Sequence, residues 1–259
     1  MIKDSYIVAF RAGSSGRFIS NILYGIITES MGSNFKLSQY NSTHLDTKHG
    51  GTFKLINTSL TSPSFPSNFS HKYFYENFMF TQDPGIVHTH TPPTYSVIKE
   101  RYPETKIIII SFTENDQNEI IYNSFLKNGL EDLENNDFKP DNPDSRLFCK
   151  IYYKFFGEYY NGQKLSIDQK RKILEEVENF MNYDPMIAYY KNPQIAEDYI
   201  DKTLVIMYDD IVHNSDKIIE QLQKFSGKTN VDISIKEYYN AYLEGRKKLI
   251  EQHMPWVKL

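Results

Sequence analysis

The chain has 259 residues, of which 40% are hydrophobic and 24% are charged. This length and composition are typical of one globular domain and exclude a largely disordered chain. The net charge of −4 excludes a general attraction to nucleic acid or anionic membranes. The single cysteine, Cys149, excludes an intrachain disulfide and a cysteine-based zinc site. No apolar stretch is long enough for a signal peptide or a membrane span, which predicts a cytoplasmic protein.

The first predicted element is a buried strand over Tyr6–Phe10, a short apolar run rich in β-forming residues. The strand ends at a glycine- and serine-rich segment, Arg11–Arg17. A helix is predicted from about Ser15 to Ser30, with Gly32 near its C-terminal cap. Residues 33–84 show no clear period and are predicted to form a loop-rich insert.

Two further strands are predicted in the middle of the chain. The first, Ile86–His90, is stopped by two prolines, and a helix to about Tyr102 follows it. The second, Lys106–Phe112, contains an uninterrupted β-branched run, which indicates burial on both faces as in the centre of a parallel sheet. A helix from about Asn115 to Lys127 follows this strand.

The last part of the chain is predicted to be mostly helical, with a helical insert at about 129–200. Ser166 and Gln169 have the spacing of a capping box at the start of a helix that runs to about Tyr183. The acidic pair Asp209-Asp210 is interpreted as a helix start rather than a metal site. The remaining predicted elements are a buried strand and two helices: Thr203–Tyr208, Ser215–Phe225 and Ser234–His253, the last capped by Ser234 and Glu237.

The alternation of strands and helices predicts one α/β domain over residues 1–259. Its sheet is expected to be doubly wound and mostly parallel, with helices on both faces. Ligands of such sheets bind beyond the carboxyl ends of the strands. Arg11–Ser15, His90 and Ser111–Thr113 all lie at such ends, so we expect them to contribute to one site.

The segment between the first strand and helix has the composition of an anion-binding loop. Glycines permit tight turns, serine hydroxyls can donate, and the start of a helix exposes N–H groups. The alternative is an ordinary strand-to-helix turn with a serine cap. The residues in question are two glycines, two serines and two flanking arginines: Gly13, Gly16, Ser14, Ser15, Arg11 and Arg17.

The loop departs from two familiar nucleotide-binding motifs. A Walker loop requires glycine, lysine and a hydroxyl residue at positions where this chain has Arg11, Arg17 and Phe18. The Gly-x-Gly-x-x-Gly pattern of nicotinamide dehydrogenases is also absent. A metal-dependent NTPase is therefore disfavoured, and a nucleotide kinase with an altered loop stays open as an alternative.

The segment Arg11-Ala12-Gly13-Ser14-Ser15 resembles the 5′-phosphosulfate loop of sulfotransferases that use 3′-phosphoadenosine-5′-phosphosulfate (PAPS). Ile86-Val-His-Thr-His-Thr-Pro92 is similar to that family's Lys-Thr-His-x-Pro strand end. Two later segments, Lys106–Phe112 and Leu204–Asp210, follow in the family's order. The resemblance implies a P-loop-like sulfotransferase architecture, PAPS as donor without a metal, and a small-molecule, glycan or peptide acceptor.

The resemblance also implies roles for individual residues. His90 would be the general base that deprotonates the acceptor hydroxyl or amine. His88, at the place of the family's catalytic lysine, would donate a hydrogen bond to the transferring group, and Arg11 would neutralise the leaving oxygen. The donor's 5′-phosphate would be held by the loop: Arg11, Gly13, Ser14, Ser15, Gly16 and Arg17.

Three departures from the family pattern concern the 3′-phosphate of the donor. Phe112 stands where the family usually has an arginine, and Ser124 is the candidate for its serine partner. The family's C-terminal Gly-x-x-Gly-Asp-Trp-Lys loop is absent, and Arg246 and Lys247 are the candidate replacements. These departures keep a second hypothesis open, namely a non-catalytic protein that binds a nucleotide or phosphate with the same fold.

Overall fold

The computed structural model describes ten parts of the chain: 5–11, 13–29, 85–89, 92–101, 103–121, 143–160, 163, 165–181, 185–253 and 255. The predicted insert at 33–84 lies outside the described residues. Within them the chain has an α/β fold, as predicted.

Four parallel strands form the sheet, in the order β2-β1-β3-β4. They are β1 (Ser5–Phe10), β2 (Gly85–Thr89), β3 (Lys106–Ser111) and β4 (Thr203–Met207). The predicted parallel sheet is therefore confirmed. β1 and β3 occupy its centre, which explains why their sequences are continuous apolar runs. β4 was expected to be buried, but it lies at the end of the order, and only Ile206 of its residues is fully buried.

Nine α-helices and one short 3₁₀ helix, Glu197–Lys202, lie in the described parts. None of these helices is long and apolar enough to cross a membrane. The helices are α1 (Gly16–Thr28), α2 (Tyr95–Arg101), α3 (Glu114–Ile121), α4 (Pro143–Phe156), α5 (Ile167–Met181), α6 (Pro185–Lys191), α7 (Tyr208–His213), α8 (Ser215–Ser226) and α9 (Ile233–His253).

Helices cover both faces of the sheet, as predicted. On one face Tyr6, Val8 and Phe10 of β1 pack with residues of α1, α8 and α9. On the other face Ile7 and Ala9 pack with residues of α2, α3 and α6. This division follows from the alternation of side chains along a strand.

The loops that follow β1 and β3 leave the sheet toward opposite faces. β1 leads into α1 on one face, and β3 leads into α3 on the other. The strand order reverses here, because the chain passes from β2 on one side of β1 to β3 on the other. Such a reversal opens a crevice at the carboxyl edge, where parallel sheets bind their ligands.

Two predicted helix caps need correction. α1 ends at Thr28, and Glu29 with φ of 58° takes the left-handed position that Gly32 was expected to favour. At the start of α9, Ser234 N donates to Asp232 Oδ1 at 2.8 Å. The side-chain carboxylate of Asp232 therefore caps this helix, in place of the predicted pair Ser234 and Glu237.

The capping box predicted at the start of α5 is confirmed. Gln169 N donates to Ser166 Oγ at 3.2 Å, and Ser166 N donates to Gln169 Oε1 at 2.9 Å. We expect Ser166→Ala to lower the free energy of unfolding by about 1 kcal/mol, because an N–H group loses its acceptor. Urea unfolding would measure this loss, and Ser166→Thr should retain most of the stability. An unchanged midpoint for the alanine variant would contradict the assignment.

Candidate anion site at the carboxyl edge of the sheet

The loop between β1 and α1 makes a tight turn. Ser14 is fully buried, and its N and Oγ both donate to the carbonyl oxygen of Arg11, at 3.0 and 2.7 Å. Gly13 has φ of 90° and Ser15 has φ of 65°. Glycine adopts this left-handed conformation readily, as expected for Gly13, whereas a serine needs neighbouring contacts to hold it there.

Tyr242 of α9 supplies the contact that holds Ser15. The two hydroxyl groups are hydrogen-bonded, and the Tyr242 ring stacks on Phe18 with ring centroids 3.7 Å apart. Burial raises the pKa of Tyr242 to about 12, so its hydroxyl keeps its proton at neutral pH. Ser15 occupies the N-cap position of α1 but makes no side-chain capping bond. The first turn of α1 is therefore not capped by its own serine.

The start of α1 is electropositive. An α-helix leaves its first N–H groups without intrahelical acceptors, and its dipole places partial positive charge at this end. The first turn contains no acidic residue. Arg17 lies within this turn, and Arg11 precedes the loop. An anion at this position would be attracted by the helix end and by both guanidinium groups.

Gly16, the first residue of α1, lies directly against the ring of Phe10. A Cβ atom at position 16 would overlap three carbon atoms of that ring. Phe10 is the last residue of β1 and is 3% exposed, so it has little room to move. Glycine is therefore required here for helix–strand packing. This packing requirement adds to the tight turn that the sequence predicts for the loop.

The polar side chains at the end of β3 form hydrogen bonds with other groups of the protein. Ser111 Oγ donates to the carbonyl oxygen of Tyr190 at 2.7 Å, and Phe112 N donates to the same oxygen at 3.4 Å. Thr113 N and Oγ1 donate to Asp116 Oδ2 at 2.8 and 2.9 Å. These bonds anchor α6 to the edge of the sheet and stabilise the start of α3.

A buried ion pair joins α3 to α9. Arg246 Nε donates to Glu119 Oε1 at 2.6 Å and Nη2 donates to Oε2 at 2.5 Å, while Tyr208 OH donates to Oε1 at 2.7 Å. Glu119 and Arg246 are 5% and 8% exposed. Burial alone would lower the pKa of Arg246, but the bonds and charges of Glu119 and Tyr208 raise it. Arg246 was predicted to bind the donor, and its guanidinium is instead bound by a carboxylate.

The contacts of α9 with Ser15 and Glu119 were not predicted from the sequence. Tyr242 and Arg246 are four residues apart and share one face of the helix. Their partners are distant, because Ser15 and Glu119 lie 227 and 127 positions away in the chain. No local pattern links such positions. The only sequence signal for these contacts is the spacing of four residues between Tyr242 and Arg246, which places both on one face of a helix.

Of the remaining predicted site residues, the structure describes the side chain of Lys247. Lys247 is exposed, with its Nζ 3.9 Å from Glu251 Oε1. His88 lies in β2 opposite Val8 of β1, and its side chain is not among those described. His90 and Ser124 lie outside the described residues. Arg11 and residues 13–17 lie together at the carboxyl edge of the sheet, but the Ser14 and Ser15 hydroxyl groups, predicted to hold the donor's 5′-phosphate, are bonded to Arg11 O and to Tyr242. The roles of His88 and His90 stay predictions.

The acidic pair Asp209-Asp210 is confirmed as a helix start. Both residues lie in the first turn of α7. Asp210 accepts hydrogen bonds from Lys217 Nζ at 2.7 Å and from Asn214 Nδ2 at 3.0 Å, so it joins α7 to the following helix. Across the described ranges, no group of three or more His, Cys, Asp or Glu residues could hold a metal ion.

The sequence matches no protein-family model. No curated protein sequence is significantly similar to it. The chemistry of the site therefore has to be inferred from its geometry. Arg11, Arg17 and the first turn of α1 form a set of donors and positive charges suited to a phosphate or sulfate group.

Proposed function

We propose that the chain is a sulfotransferase that binds PAPS at the loop Arg11–Arg17 and transfers its sulfuryl group to a hydroxyl or amine. The observation that carries the proposal is that no side chain in the described part of the chain caps the start of α1. There the Ser15 side chain is bonded to Tyr242 rather than capping the helix, and the first turn holds no acidic residue. The position of this turn at the crevice of a doubly wound sheet fits a nucleotide phosphate. The resemblance of the loop to that of PAPS-dependent enzymes is the reason to propose that this nucleotide carries a sulfuryl group.

Sulfuryl transfer requires charge stabilisation on one side and proton removal on the other. The acceptor oxygen or nitrogen forms a bond to sulfur, and the bond from sulfur to the 5′-phosphate oxygen breaks. Negative charge then develops on the leaving phosphate, where the start of α1, Arg11 and Arg17 would stabilise it. His90 would take the acceptor's proton. It follows Thr89, the last residue of β2, and β2 lies beside β1 in the sheet.

A non-catalytic nucleotide- or phosphate-binding protein is the second candidate. The Glu119 carboxylate accepts hydrogen bonds from two nitrogen atoms of the Arg246 guanidinium, Nε and Nη2. Phe112 is 1% exposed and packs in the core on the α6 face of the sheet. Neither position therefore presents a free cation for the 3′-phosphate of a donor, which favours a protein that holds an anion without turning over PAPS.

Calorimetry with 3′-phosphoadenosine-5′-phosphate (PAP), the desulfated product, tests the binding step. We expect Arg11→Ala to weaken PAP binding by about 10- to 100-fold, the usual range for a hydrogen bond to a charged group. The matched control is Lys224→Ala, on an exposed residue in the last turn of α8. That turn lies at the opposite edge of the sheet, because Lys106 Nζ at the start of β3 donates to Phe225 O at 2.7 Å. The control variant should bind PAP like the wild type.

Turnover separates the two candidate functions. Transfer of sulfate from PAPS to a panel of phenols, sugars and amines, abolished in His90→Ala, would support the sulfotransferase. PAP binding without transfer to any acceptor would support the non-catalytic protein. Absence of both binding heat and a thermal shift would contradict both. Magnesium-dependent phosphate transfer from ATP would instead favour the kinase alternative.

A further inference from the structure

Tyr190 of α6 carries a buried hydroxyl group with no hydrogen-bond partner among the described residues. The whole residue is 0% exposed. A polar group buried in this way costs free energy unless something bonds it, so its persistence calls for an explanation.

The position of Tyr190 places it at the carboxyl edge of β3. Its carbonyl oxygen accepts hydrogen bonds from Ser111 Oγ at 2.7 Å and Phe112 N at 3.4 Å. The register of the sheet pairs Phe10 with Ile110. Arg11 follows the last residue of β1, and Ser111 is the last residue of β3, so both lie at the carboxyl edge of the sheet. The backbone of Tyr190 therefore lies at the same edge, beside the strand that neighbours β1.

Arg11 and Tyr190 lie on the same face of the sheet. Ile7 and Ala9 belong to the core that contains Tyr190, and Arg11 continues their alternation along β1. Burial raises the pKa of Tyr190 well above its usual value, the neighbouring Tyr189 adds to the rise, and the charge of Arg11 opposes it. The positive charge of Arg11 therefore acts on the Tyr190 hydroxyl, in agreement with their place on the same face of the sheet.

Tyr199 shows how Tyr190 differs from another buried tyrosine. Tyr199 is 2% exposed, and its hydroxyl also has no hydrogen-bond partner within the described part of the chain. It precedes β4, so it lies at the amino edge of the sheet, and its charged neighbours are Glu104 and Asp198. The charged group that acts on Tyr190 is instead the cation Arg11, and the Tyr190 backbone lies at the edge where ligands bind. Its surroundings suit an anionic ligand, and those of Tyr199 do not.

We propose that the Tyr190 hydroxyl donates a hydrogen bond to the anion that Arg11 and the start of α1 bind. The anion is then held from both faces of the crevice, by α1 on one and by Arg11 with Tyr190 on the other. This inference rests on the proposed function and adds a ligand-contacting residue from α6 to that site. A tetrahedral phosphate or sulfate group fits, because its several oxygens can accept from a guanidinium, from backbone N–H groups and from a phenol together.

Tyr190→Phe tests the inference, because it removes the hydroxyl oxygen and retains the ring. We expect this variant to bind both PAP and inorganic phosphate about 10- to 100-fold more weakly in calorimetry, as expected for a lost bond to an anion. Its thermal midpoint should equal or exceed that of the wild type, since no protein group loses a partner. Tyr199→Phe is the matched control and should leave both affinities unchanged.

The outcomes distinguish this inference from the proposed function. Unchanged affinity of Tyr190→Phe for both probes, or a weakening for PAP alone, would overturn the anion contact. A lower thermal midpoint would also overturn it, since the hydroxyl would then have a partner inside the protein. If the wild type binds inorganic phosphate but not PAP, and Tyr190→Phe binds phosphate more weakly than the wild type, the contact is supported and PAPS as donor is contradicted. A wild-type protein that binds neither probe would contradict both proposals.

Discussion

Glu119→Ala is expected to lower the free energy of unfolding by about 3–5 kcal/mol, because it leaves a buried arginine without its counterion. Arg246 donates two hydrogen bonds to the carboxylate, and Tyr208 donates a third. The ion pair is almost fully buried, so water cannot replace the lost acceptor. Chemical unfolding followed by circular dichroism would measure the loss.

An exposed ion pair and a triple variant provide controls for this prediction. Glu244→Ala breaks the pair with Lys248, which is 2.9 Å long and lies on the surface of the same helix. Its expected cost is much smaller than that of Glu119→Ala, because water screens an exposed ion pair. Glu119→Leu combined with Arg246→Met and Tyr208→Phe should recover much of the stability, because these apolar side chains need neither a counterion nor an acceptor. A loss below about 1 kcal/mol for Glu119→Ala would contradict the buried pair.

The central sheet was predictable because its signals are local. The β-branched run of β3 is buried on both faces only in the middle of a parallel sheet, and that is where β3 lies. The capping box of Ser166 and Gln169 spans three residues, so the sequence displays it complete. Gly13 at the turn after β1 has a positive φ, which favours glycine at that position whatever the rest of the chain does. Features of this kind do not depend on the rest of the fold.

The contacts that shape the candidate site were not predictable, because they join distant parts of the chain. Arg246 stands in a basic run, which in sequence looks like a ligand-binding cluster, but its counterion on α3 becomes visible only in the folded chain. The left-handed Ser15 depends on a tyrosine in the last helix. Tyr190 belongs to a short helix, α6, that the sequence did not reveal, and its position depends on bonds from the end of β3.

Gly16→Ala is expected to cost about 1–3 kcal/mol and to weaken PAP binding, because the new methyl group must displace either α1 or the Phe10 ring. The ring is buried against α1, α8 and α9, so the start of α1 is the part that can move. Moving it separates the first-turn N–H groups from Arg11, which would reduce the affinity for an anion. Equilibrium unfolding and calorimetry would measure the two effects.

A double-mutant cycle with Phe10→Leu tests the cause of that loss. The smaller side chain gives the methyl group room, so the cost of Gly16→Ala should be smaller in the Phe10→Leu background, by about 0.5–3 kcal/mol. Gly157→Ala is the control for backbone strain alone, because Gly157 has φ of 69° and nothing within 4 Å of an added Cβ. It should cost about 1 kcal/mol and leave PAP binding intact. Additive costs at positions 10 and 16 would mean that Gly16 is not needed for packing against Phe10.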